Sequence, residues 1–210
     1  MLRSVHVQMT RLALDGLFSE RALQVIIRAN VGMDAVWNQI GRHELHFDDN
    51  AFERSYAYLA GQRACIQPAL EAGTPRVAWQ AFGRLTHTAQ DFYSHSNYVD
   101  LWAARHQPGR LPPADQIDPV DRDLMNNPAL HSGRIHLPLE ILSYVPVVGA
   151  WMVKSAPSDS HARMHRDSAA RGPLFEYAFQ AAVRRTRQEY DELTHALPAP
   201  LLAQFRELPG

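Results

Sequence analysis

The stretch from Pro75 to Tyr98 constrains the fold more than any other part of the chain. Ala78, Phe82, Leu85, Ala89 and Phe92 recur there at helical spacing, so one long helix must lay that stripe against other elements. His87, Asp91 and His95 follow at four-residue steps on a different side and therefore share a face. A rise of ~1.5 Å per residue puts the first and last of those Cα atoms roughly 12 Å apart, too far to grip one ion together. If the row binds metal, more than one ion is expected, with Asp91 near the middle. On this helix alone a solvated polar face is the ordinary reading. Against it stand the other histidines, which recur beside carboxylates elsewhere.

The 210 residues are enough for one well-buried domain, and no long linker divides them. With 22 acidic and 21 basic residues the chain has no global field to gather nucleic acid or an anionic membrane. The basic run Arg184-Arg185-Thr186-Arg187 is helical in context and reads as a solvated face. Cys65 is the only cysteine, which excludes an internal disulfide and any thiolate zinc site. Eleven histidines in this length are unusually many, so metal would have to sit on His and Asp. The opening Met-Leu-Arg-Ser-Val-His has no apolar run of the signal-peptide kind. A cytosolic protein, one exported without such a signal, or one that starts after a removed leader all fit.

Taken in order, the pattern predicts a first helix over Val5 to Leu17 and a second starting at Ser19-Glu20. Gly32 interrupts it. His43 to Asn50 is a polar loop whose Asp and Asn residues are placed to cap a helix from Ala51 towards Ala72, bent at Pro68. Gly73 suits a C-terminal cap, and Thr74-Pro75 suits an N-cap followed by a first-turn proline. A less regular insertion is expected at about 107–160, including the apolar run from Pro138 to Val153. That run holds Glu140, Pro146 and Gly149 and is too short to span a bilayer, which favours a buried helical hairpin over a lip touching lipid. A long helix from about Leu174 to Leu197 and a short terminal one close the chain. Period-two strand runs are absent, so the expected class is all-α, a single helical metal-binding domain over 1–210.

His6, Asp34, His46, His87, Asp91, His95, His161 and either His165 or Asp167 come from five separate segments, so only folding can unite them. Such dispersal suits a multinuclear site, and zinc accepts mixed imidazole and carboxylate donors. Singly, each residue is more often structural: His6 could bond a helix end, and Asp34 or Asp48 could be a cap. His43, His106, His131, His136 and His195 lack an acidic neighbour pattern and read as structural or surface. Tyr93, Tyr98 and Trp102 read as core packing rather than as the lining of a mouth.

The order of Ala29-Asn30-Val31-Gly32-Met33-Asp34, Leu45-His46-Phe47-Asp48 and His87-Thr-Ala-Gln-Asp91-Phe-Tyr-Ser-His95-Ser-Asn97 resembles the HET-C arm of the zinc-dependent phospholipase C and single-strand nuclease superfamily. That resemblance implies a helical bundle of the phospholipase C type with ions in a cleft. It implies that His46, His87 and Asp91 hold one zinc, and that His95 and His161 hold a second, completed by His165 or Asp167. It further implies a third zinc served by His6 and bridged through Asp91, and Asp34 as a ligand and as the base for an attacking water. Only three residues separate Asp91 from His95, as in the HET-C arm, where phospholipases C have five.

The function so implied is a zinc-dependent phosphodiester hydrolase, phospholipase C-like, in which zinc lowers the pKa of bound water. Its substrate would be a phospholipid headgroup or another phosphodiester, with peripheral membrane contact. Two alternatives are a single-strand nuclease, which the near-neutral charge disfavours, and a non-catalytic, zinc-stabilised HET-C-like interaction or toxin module.

Overall fold

A computed structural model describes residues 1–39, 41–107, 109–136, 157 and 159–208, and every regular element among them is a helix. The class is all-α. The apolar run from Pro138 to Val153, and with it most of the expected insertion, lies outside the described residues.

Helix α1 (Arg3–Leu14) stops where Gly16 takes a left-handed turn at φ 73°. Helix α2 (Glu20–Val31) starts at Ser19, whose hydroxyl accepts from the Ala22 amide at 3.1 Å. It passes at Gly32 into a tight 3-10 turn ending at Asp34, and the short α3 (Val36–Gln39) follows. The expected helix over residues 51–72 is two helices, α4 (Phe52–Ala64) and α5 (Ile66–Glu71). The break precedes Pro68 because that ring nitrogen has no hydrogen for the Ala64 carbonyl one turn back. No Asp or Asn side chain caps α4, whose N-cap is Ala51. Helix α6 (Pro75–His95) begins as expected at its proline, but the Thr74 hydroxyl donates to the Ala69 carbonyl at 2.8 Å instead of capping it.

Helix α6 runs through the middle. From Trp79 on only Gln80 and Arg84 escape full burial, so the polar row is not a solvated face. Helix α2 and the long helix Phe175–Ala196 flank α6, and α1 packs on both of these. Tyr93, Tyr98 and Trp102 are buried, and the two tyrosine hydroxyls donate at 2.6 Å to the Pro119 and Asp118 carbonyls. Arg184 and Arg187 lie on the outside of the long helix, but Arg185 turns inward. Its guanidinium bonds the fully buried Glu189 at 2.6 Å, and Arg63 holds the other oxygen of that carboxylate. An ion pair so enclosed leaves a costly orphan if either partner is removed.

Gly83 sets the distance between α2 and α6. A Cβ there would lie 2.3 Å from the Ile26 carbonyl oxygen and 2.8 Å from Ala29 Cβ, so the helices touch backbone to backbone. Gly83→Ala is expected to lower stability by about 2 kcal/mol, the overpacking penalty exceeding the gain in helix propensity. Thermal unfolding should show the midpoint drop by several degrees, and an unchanged midpoint would refute the close contact.

Candidate metal centre

Helix α6 supplies His87, Asp91 and His95, and four other segments bring donors to that face. The first is α1, whose His6 puts Nε2 3.2 Å from Asp91 Oδ1 and stacks on His87 with ring centroids 4.3 Å apart. The Met1 backbone nitrogen lies 3.0 Å from the same Oδ1. The second is the turn after α2, where Asp34 Oδ1 stands 3.8 Å from His87 Nε2. The loop before α4 adds His46, with Nδ1 2.9 Å from Asp91 Oδ2 and 3.2 Å from His87 Nε2. The same His87 nitrogen is 3.0 Å from Asp91 Oδ2.

A second cluster sits at the end of α6. Asp48 Oδ1 lies 3.0 Å from His95 Nδ1 and 3.7 Å from His161 Nε2, and the His95 and His161 rings meet edge to face at 4.6 Å. Asp167 reaches both clusters, with Oδ1 3.6 Å from His95 Nε2 and 3.3 Å from the Met1 nitrogen. Its other oxygen is 2.8 Å from His165 Nδ1, and the His165 ring stacks on His161. All nine residues expected at a site therefore adjoin one another. Of the two alternatives beside His161, it is Asp167 whose carboxylate turns towards His95.

Local structure holds these donors in place. Ser94 donates to Asp167 at 2.7 Å and its carbonyl accepts from the Arg166 amide, while Arg166 grips Asp100 with two 2.6 Å bonds. Gly133 passes so near His161 that a Cβ would stand 2.6 Å from its Cα. Around Asp48 the chain is strained: Phe47, Asp49 and Asn50 all have left-handed φ, at 56°, 53° and 55°. Asn and Asp tolerate that region, but for Phe it costs roughly 1–2 kcal/mol. The Phe47 ring, buried against Phe92 and Tyr56, and a reciprocal Asn50–Ser132 pair of hydrogen bonds keep it there.

Asp48, offered by the sequence only as a cap, is thus a central member of the second cluster. Asn30 and Gln90 were missed as well, because nothing in their own chemistry marks them. The Leu45-His46-Phe47-Asp48 run was the available signal for Asp48.

Charge is concentrated here. Burial works to raise the Asp91 carboxyl, but the Met1 amine, His87, His95 and His6 outweigh it and hold it well below the usual carboxylate range. Burial would lower His95, yet Asp48 and Asp91 lift it well above the usual imidazole range. His87 goes the other way, lowered well below that range by its burial. Asp34 is raised by burial and by Asp91.

The donors fit a divalent ion of the zinc type. Three sets place one ligand atom from each member within 4.8 Å of the others: His46, His87 and Asp91; Asp48, His95 and His161; and His6, Asp34 and His87. The first and third draw on the same His87 nitrogen, so they are not two independent sites. His46 Nε2 lies 3.3 Å from the Asn38 carbonyl, and His95 Nδ1, between the His46 carbonyl at 2.9 Å and Asp48 Oδ1 at 3.0 Å, carries a hydrogen. The opposite nitrogens, His46 Nδ1 and His95 Nε2, face the carboxylates of Asp91 and Asp167 and are the edges an ion would take in exchange for a proton, the arrangement outer-shell hydrogen bonds give to metal-binding histidines. His6 Nε2, His95 Nε2 and Asp48 Oδ1 are buried without a hydrogen-bond partner among the described residues.

A family model described as the VWA7 N-terminal domain matches residues 8–126. Von Willebrand factor A domain-containing protein 7 of Homo sapiens is 33% identical over 96 residues, which span 46% of this chain and 11% of that protein. The proteins of the same name from Mus musculus and Rattus norvegicus are each 32% identical over 96 residues with the same coverage. No solved structure matches. These matches correct the expected kinship with the HET-C arm of the phospholipase C and nuclease superfamily. With it go the zinc-dependent phosphodiesterase, the nuclease and the HET-C-like module, and the resemblance from which Asp34 drew its role as base.

Proposed function

Because the chain belongs to the VWA7 N-terminal domain family, we propose that it serves as a metal-centred helical module, with buried imidazoles and carboxylates that hold two divalent first-row ions. Zinc is the first candidate, since it takes neutral imidazole and carboxylate together and needs no thiolate. His46, His87 and Asp91 would hold one ion, with His6 and Asp34 beside it. Asp48, His95 and His161 would hold the other, with Asp167 beside it. When bound, such ions supply positive charge and fixed coordination geometry, which here would tie α1, the loop before α4 and residues 159–167 to α6. The supporting observation is the convergence of donors: His46 Nδ1 and His87 Nε2 both lie within 3.0 Å of Asp91 Oδ2, and His95 Nε2, whose opposite nitrogen is flanked by the His46 carbonyl and Asp48, lies 3.6 Å from Asp167.

Elemental analysis of protein purified without added metal, followed by titration with zinc, tests this. Two ions per chain are expected. Failure to retain metal or to take it up at micromolar concentration overturns the reading.

A further inference from the structure

Behind the first donor set lies a buried polar lattice centred on Gln90, the residue before Asp91. The Gln90 amide nitrogen is 3.0 Å from Thr186 Oγ1 and 3.2 Å from Thr10 Oγ1. Thr186 gives its own hydroxyl hydrogen to the Ala182 carbonyl at 2.8 Å, so towards Gln90 it can only accept. That fixes which end of the amide is which.

The Gln90 oxygen consequently points the other way, 3.1 Å from Asn30 Nδ2 and 2.7 Å from His6 Nδ1. Asn30 is oriented by the same logic. The Thr86 hydroxyl donates to the Gly83 carbonyl at 3.0 Å and accepts from Asn30 Nδ2 at 3.1 Å. Both amides therefore agree on where the acceptor lies. An amide oxygen 2.7 Å from an imidazole nitrogen needs a hydrogen between them, so Nδ1 carries one, and in the neutral ring Nε2 is the lone-pair edge. Nε2 is the atom 3.2 Å from Asp91 Oδ1, and it has no hydrogen-bond partner among the described residues. Two electron-rich atoms at that distance need either a proton or a metal ion between them, and the ion takes the place of the proton when it binds.

We propose that Gln90 is a positioning residue which fixes His6 in its Nδ1–H tautomer and so makes His6 Nε2 a ligand of the ion held by Asp91. Were the amide absent, His6 could place its hydrogen on Nε2 and donate to Asp91, closing that edge of the site to metal. The inference rests on the metal-binding reading, but it is a separate statement about which nitrogen bears hydrogen and why. Second-shell partners of this kind typically change metal affinity 10- to 100-fold.

Long-range 15N–1H NMR of the zinc-loaded wild-type protein reads the tautomer directly. The expected result is a protonated His6 Nδ1 and an Nε2 without hydrogen. Cobalt(II) titration of Gln90→Leu should show affinity for one ion lowered 10- to 100-fold, with His6 shifted towards Nε2–H. Gln90→Glu, which restores an acceptor, should return the Nδ1–H form, and circular dichroism checks that both variants stay helical. Should Gln90→Leu fail to fold, the wild-type tautomer and Gln90→Glu decide. Nε2–H in the wild type, or Gln90→Leu binding cobalt as tightly as wild type, overturns the role of Gln90 while leaving the ions in place. Absence of cobalt uptake by the wild type overturns both this proposal and the metal reading beneath it.

Discussion

Asp91→Asn is expected to cost one of the two ions proposed for the centre and about 3–5 kcal/mol of stability, the range for removing one partner from a buried charge cluster. Asp91 is fully enclosed, and its two oxygens face the Met1 nitrogen, His6, His46 and His87 within 3.2 Å. Asparagine keeps the volume but offers one oxygen where there were two, and sets an NH2 group against imidazole nitrogens. The site then loses a carboxylate shared by four donors, and the charge of the ion it would hold is left without that counterpart. Asp48, His95 and His161 form a separate set, with Asp91 Oδ1 as far as 4.0 Å from His95, so the second ion should stay. Elemental analysis should read one ion in place of two, and calorimetry a midpoint lower by about 10 °C for a chain of this size. Retention of both ions at an unchanged midpoint would remove Asp91 from the centre.

Chelation is expected to act on the whole fold at once. An ion that binds only the folded state, present at a thousand times its dissociation constant, contributes about 4 kcal/mol. For this length that corresponds to a fall in midpoint of about 8–16 °C when the ion is withdrawn. The helices themselves should largely persist at room temperature, since α6 is packed by Phe82, Leu85, Ala89 and Phe92 whether or not an ion is bound. Thermal scans with and without a chelator, followed by far-ultraviolet circular dichroism and readdition of zinc, would show a drop that zinc reverses. A midpoint indifferent to the chelator would mean the donors are satisfied by protons alone.

The sequence made the helical frame legible because its signals were local: Ser19 before Glu20, Pro75 at a first turn, and the apolar stripe of α6. It misplaced the break near Pro68, since the proline acts on the carbonyl four residues earlier. The candidate donors could be named because metal chemistry draws on few residue types, and eleven histidines stand out. Asp48 escaped because an aspartate just ahead of a helix reads as a cap, and only the left-handed backbone on either side turns it inward. Gln90 and Asn30 escaped for a different reason. Their role lies in which way an amide points, and that depends on Thr186, nearly a hundred residues further on. Ancestry was misread from the same row of histidines that located the cluster, because a spacing set by one helix face is shared by unrelated chains.

The unusual winding at Phe47 behaves as a latch. Its ring rests in an aromatic nest under the loop, and the backbone beside it would relax if the ring came free, carrying the Asp48 carboxylate away from His95. Hydrocarbon packing beneath the loop thus governs whether the second set of donors exists at all. Core substitutions that touch no ligand should be felt first as a weakened grip at that end of the row.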